Sequence, residues 1–112
     1  MSAGVLRLTG TPSQIEWAEQ IRPRVVQEFD RVANALKKVA LRQTPLNRAE
    51  TGIVLTILED KRAETMANDQ AGYFIKDWQE LDGRVRLLIA KDSRYKAIQS
   101  DRAARKSTKT GD

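Results

Sequence analysis

Apolar residues recur in steps of three and four from Ala18 to Val39, through Ile21, Val25, Phe29, Val32 and Leu36. This spacing is that of a helix burying one stripe, and it is close to a coiled-coil repeat. Val26, Ala33 and Ala40 widen the stripe, while Glu19, Gln20, Gln27, Arg31 and Lys38 are left for water. Just ahead of it, Thr11-Pro12-Ser13-Gln14 reads as a helix start. Thr11 suits the N-cap, Pro12 the first helical position, and Gln14 can reach back to close a capping box. Pro23 opposes a continuous helix, because it removes the bond to the Glu19 carbonyl and crowds it, costing about 3 kcal/mol or producing a kink. The stripe keeps its phase across Pro23, which favours one long kinked helix over residues 11–43 against two separate ones.

Thr44-Pro45 closes that element, since the residue before a proline avoids the helical region. A second start follows in Asn47-Arg48-Ala49-Glu50, and Ala49, Ile53, Ile57 with Val54 and Leu58 make an apolar face over residues 47–67. The β-branched run Gly52 to Leu58 offers a strand as the rival. Charges beyond it continue at helical spacing, which favours the helix. A short link would make the two helices an antiparallel hairpin. A third start at Asn68-Asp69 leads into Ala71, Phe74, Ile75, Trp78 and Leu81. Gly83 breaks that element, Val85 to Ile89 forms a short piece, and a last segment begins at Asp92 or Ser93. Residues 100–112 contain no large apolar residue and read as a frayed helix end passing into a disordered basic tail. The expected architecture is all-α: a compact bundle of three to five helices built on the hairpin, with a single domain over 1–99 and a tail over 100–112.

The chain has 112 residues and neither His nor Cys. One domain with one modest core fits that length. Thiolate nucleophiles, Ser-His triads, Cys/His zinc sites and disulfides are excluded. Met1 to Gly10 has no apolar region of signal-peptide length, and the most apolar uncharged stretch, Gly52 to Leu58, is too short to span a bilayer. A soluble cytoplasmic protein is the expectation, with no membrane partner.

The opening Leu8-Thr9-Gly10-Thr11-x-x-Gln14-x-x-Trp17-Ala18-x-x-Ile21-Arg22 resembles a motif of small prokaryotic and phage-borne proteins of uncharacterised function. Ala71-Gly72-Tyr73-Phe74-Ile75-Lys76-Asp77 is similar to a second, aromatic segment of those proteins, although Tyr73-Phe74 stands in place of two Trp and Lys76 intervenes before Asp77. The resemblance implies a compact helical domain in which the opening turn and Trp17 pack near the aromatic segment. It implies no catalytic residue, and it suggests a docking or accessory role.

Asp77 and Glu80 share a helix face, and with Asp82 nearby they are the candidates for a divalent cation or an acid/base pair. Solvation of the flank beside Phe74, Trp78 and Leu81 explains them more simply. No Gly-rich phosphate loop follows a strand signal, so no enzyme, cofactor or small-molecule substrate is expected. Trp17 and Trp78 read first as core residues, and otherwise as stacking platforms or interface anchors.

The net charge of +5 is unevenly spread. Residues 1–93 carry 14 basic and 13 acidic side chains, whereas residues 94–112 carry six basic and two acidic. The six are Arg94, Lys96, Arg102, Arg105, Lys106 and Lys109, and a persisting helix would align Arg94, Arg102 and Arg105 beside Tyr95. Such a stripe can neutralise phosphates, dock on an acidic protein, or only solubilise the chain. The leading expectation is therefore a non-catalytic accessory or regulatory protein that binds nucleic acid or a nucleoprotein complex. The alternative is a protein-interaction module, self-associating as a homodimer or inhibiting a host complex, because the first helix offers more apolar length than the second can cover.

Overall fold

A computed structural model describes residues 7–110, with side chains as far as residue 106. The described chain is all-α, with five helices: α1 (Pro12–Ala40), α2 (Pro45–Met66), α3 (Ala71–Asp77), α4 (Arg84–Ala90) and α5 (Ser93–Thr110). None of them is long and apolar enough to cross a membrane.

The opening capping box closes as the sequence predicts. The Gln14 backbone N–H donates to Thr11 Oγ1 at 3.2 Å, and the Thr11 N–H donates to Gln14 Oε1 at 3.0 Å. A single helix then runs 29 residues through Pro23. Ala18 and Val25 are fully buried on either side of the proline, and Phe29 and Val32 continue the stripe. Burial at about 25 cal/mol per Å2 on both sides offsets the lost hydrogen bond.

The stripe includes one charge, because Arg22 is buried with its guanidinium over the Phe74 ring, 5.8 Å from the centroid.

Helix α2 starts three residues earlier than its sequence pattern suggests. Thr44 is the N-cap, with Oγ1 accepting from the Asn47 N–H at 3.3 Å, and Pro45 is the first helical residue. The physical reason is that proline pushes its predecessor into an extended conformation, and an N-cap needs that conformation. Thr44 has φ −61° and ψ 160°, so Thr44-Pro45 ends one helix by beginning the next. The strand alternative for residues 52–58 is not adopted. The buried face of α2 is also rotated from expectation: Val54, Ile57 and Leu58 are in the core with Glu50 and Thr51, while Ile53 is exposed.

Residues 7–10 run alongside the α2–α3 link as a one-bridge parallel pairing of Thr9 with Gln70. The Thr9 N–H donates to the Asp69 carbonyl at 2.6 Å, and the Ala71 N–H donates to the Thr9 carbonyl at 2.9 Å. This pins Leu8 into the core. Gly10, at φ +145°, makes the turn into α1 in a conformation that side-chain-bearing residues avoid. The opening turn thus packs against the start of the aromatic segment. Trp78 ends α3 with its ring 5.7 Å from that of Phe29, and its indole N–H donates to the Tyr73 hydroxyl at 3.1 Å. Gly83, at φ +81°, turns the chain into α4.

Helices α1 and α2 form the antiparallel hairpin. Helix α3 packs on α1, α4 on both hairpin helices, and α5 on α2 and α4. Among the described residues no Cα of α1 comes within 8 Å of a Cα of α5. The body is long, 63 × 24 × 19 Å.

The boundary expected between residues 99 and 100 falls inside α5. The segment from residue 100 does lack core residues, but Arg102 and Arg105 hold it to Glu50 of α2 across 3.1 and 2.9 Å. Ion pairing and good helix formers such as Ala103 and Ala104 replace apolar burial there. The last part of the expected tail, residues 111–112, lies outside the described residues.

Candidate polyanion-binding end

The stripe of α5 forms, but it faces inward. Arg94 donates to both Asp92 oxygens, at 3.0 and 3.1 Å, and to Asp60 of α2 at 2.8 Å. Arg102 and Arg105 share the two oxygens of Glu50, whose side chain is only 9% exposed. These rungs fasten α5 antiparallel to α2. Three of the expected binding residues are therefore spent first on holding the fold, since carboxylates on the neighbouring helix offer charge-assisted bonds at close range. Arg105 and then Arg102 hold the Glu50 carboxyl below its ordinary range, against the opposing effect of burial. Arg94 holds Asp92 well below its own in the same way.

Lys96 is exposed and makes no ion pair among the described residues, and Lys106 is exposed at the end of the described side chains. The side chain of Lys109 lies outside them. Tyr95 is half-buried against the core. The two tryptophans part company. Trp78, 1% exposed and hydrogen-bonded, has Phe29 and Arg84 against its ring and is no stacking platform. Trp17 is 53% exposed and does not join the core, contrary to its first reading. It lies one position off the stripe, beside Ala18, and so its ring is left to solvent or to a partner.

Sequence reasoning missed the second half of the basic end. Glu50 brings Arg102 and Arg105 to the start of α2, and so to the α1–α2 turn. That turn carries Lys37, Lys38 and Arg42, all exposed and without ion pairs among the described residues. Lys37 and Lys38 suit the last turn of α1, where the helix dipole favours cations. Arg48 caps the same helix end, its Nε donating to the Ala40 carbonyl at 3.0 Å and its Nη2 to the Gln43 carbonyl at 3.2 Å. Asp101 is the one exposed carboxylate among the described residues of this end, and Glu50 is outnumbered two to one by arginines. The far end is balanced, with Glu16, Glu19, Asp69 and Asp77 set against Arg7, Arg22, Arg24 and Lys76. One signal in the sequence points to this arrangement. Glu50 and Asp60 are ten residues apart and Arg94 and Arg105 eleven, as antiparallel rungs require.

Beside the basic end, the gap between α1 and α5 is a cleft of about 170 Å3. Its walls are Val32, Leu36 and Val39 of α1, Ile89 of α4 and Tyr95 of α5, over Thr51 and Val54 of α2. Asp77, Glu80 and Asp82 line an open surface dent instead. No group of three or more acidic side chains among the described residues is placed to hold a metal ion. No family model, curated protein or solved structure matches this chain.

Proposed function

We propose that this is a non-catalytic accessory or regulatory protein, cytoplasmic and of bacterial or phage origin, that binds nucleic acid or a nucleoprotein complex through its basic end. One observation carries the reading: cations from two segments about sixty residues apart in sequence, Lys37-Lys38-Arg42 and Arg102-Arg105-Lys106, converge where one exposed carboxylate is described. Such an end attracts phosphates over roughly a Debye length, about 8–10 Å at physiological salt. Binding would be salt-dependent and mostly blind to sequence, because exposed Lys and Arg side chains reach backbone phosphates.

The test is a gel-shift titration of double- and single-stranded oligonucleotides with Lys37→Glu, Lys38→Glu and Arg42→Glu combined. These side chains are exposed and make no ion pair among the described residues, so the fold is expected to survive. Loss of three phosphate contacts lowers the slope of log K against log salt by about 2–3 and weakens binding at least tenfold. An unchanged slope and affinity removes the reading.

A protein-interaction module is the second reading. Leu41 (80% exposed), Leu46 (54%) and Val39 (51%) cluster about the same end, and phosphate binding has no use for them. Light scattering across concentrations tests its self-associating form, and a constant monomer mass rejects it.

A further inference from the structure

The cleft between α1 and α5 is too small for a whole ligand. Small-molecule sites run to about 300–1,000 Å3. An apolar cavity of about 150 Å3 holds one benzene-sized group. At about 170 Å3, this cleft has room for one large side chain. Half of its lining residues are aliphatic, Leu36, Val39 and Ile89 among them, and Tyr95 adds a ring, so the group that fits is an apolar side chain. Its rim is cationic. Arg86 is exposed and makes no ion pair among the described residues, and Arg102, already paired with Glu50 of α2, also lines the cleft. Val39 is half-exposed at the mouth of the cleft.

We infer that this cleft is a docking site for an acidic amphipathic helix of a partner protein. One large apolar side chain of that helix enters between Leu36, Val39, Ile89 and Tyr95. Neighbours three and four residues away lie along the exposed edge of Val39, and a flanking carboxylate meets Arg86. Helices read grooves by such i, i+3, i+4 anchors. The unpaired arginine selects acidic flanks because it is a strong, bidentate donor to carboxylates. Exposed Val39 and the separation of α1 from α5 have the same explanation: each is a surface the partner helix covers. This site shares Arg102 with the phosphate-binding surface proposed above but differs in its apolar walls and in Arg86, which makes no ion pair among the described residues.

Fluorescence anisotropy tests it with three labelled 18-residue helical peptides. The first places Leu at i, i+3, i+4 and i+7 between Glu flanks. The second carries Lys in place of Glu, and the third Ser in place of Leu. The acidic Leu peptide is expected to bind at micromolar to tens of micromolar, with the other two at least tenfold weaker. Val39→Glu and Arg86→Glu, both at exposed positions, each weaken it about tenfold. Methyl NMR shifts fall on Leu36, Val39 and Ile89. The Lys37/Lys38/Arg42 variant retains peptide binding, which separates this site from the nucleic-acid surface. Equal binding of the Lys peptide, indifference to both variants, no binding at millimolar peptide, or cleft shifts produced by an oligonucleotide and not by the peptide overturns the inference.

Discussion

Replacing Gly10 by Ala tests how the first ten residues are tied to the core. The backbone at Gly10 has φ +145°, a region essentially reserved for glycine, and forcing alanine there costs about 1–3 kcal/mol. The new Cβ would also lie 3.0 Å from Gln14 Oε1 and 3.3 Å from the Ala71 Cβ. Gln14 Oε1 is the acceptor for the Thr11 N–H, so relieving the contact breaks half of the capping box, worth roughly another 1 kcal/mol. The expected loss is about 2–4 kcal/mol, or a Tm lowered by about 10–20 °C for a chain of this size. Gly52→Ala supplies a control of opposite sign. Its Cβ meets nothing within 4 Å in the interior of α2, so it should stabilise by about 0.5–1 kcal/mol. Urea unfolding followed by circular dichroism measures both. A Gly10→Ala change smaller than about 0.5 kcal/mol, alongside a stabilised Gly52→Ala, would show that residues 7–10 are not part of the cooperative fold.

Tyr73→Phe removes the acceptor of the buried Trp78 N–H and should cost about 1–3 kcal/mol in the same assay, whereas no loss would mean that the bond carries nothing. Glu50 and Asp92 both have folded-state pKa values below their unfolded ones. Their contribution is therefore complete above the unfolded values, near pH 4, and is lost as pH falls from there through the folded values. Amide exchange should show α5 losing protection before α1 between pH 6 and pH 2.5, and equal protection of the two helices at low pH would refute the assignment. Glu50→Gln releases Arg102 and Arg105 together. Trypsin should then cut at these two residues several-fold faster with cleavage in α1 unchanged, and unaltered cleavage would show that α5 is held otherwise.

Helix content and boundaries were mostly legible, because they rest on local chemistry. The Thr11-Pro12-Gln14 start, the stripe through Phe29 and the break at Gly83 each depend on residues within a turn of one another. The stripe even spoke correctly about Pro23: apolar phase on both sides outweighed one lost hydrogen bond. Where neighbours compete, the pattern misled. Ile53 looked like a core residue and Glu50 like part of a cap, yet the face of α2 turns so that Glu50 meets α5 and Ile53 faces water. Burial of a carboxylate cannot be read from its own helix when its partners are fifty residues away.

The candidate site divides in the same way. Charge counting found the basic segment 94–112, but charge is not availability. Arg94, Arg102 and Arg105 are taken up by Asp60, Asp92 and Glu50, while Lys37, Lys38 and Arg42, which raised no alarm within a balanced stretch, make no ion pair among the described residues at the end where Arg102 and Arg105 meet Glu50. Sequence by itself determined that this chain is helical, begins α1 at Thr11-Pro12 and contains no His or Cys chemistry, since these follow from residue type and short-range spacing. Tertiary structure alone decided which cations remain free, that Trp78 is enclosed and Trp17 is not, and that a cleft lies open beside α5. Those outcomes depend on which side chains meet across helices, and Coulomb and packing energies act on distances in space that the order of residues does not contain.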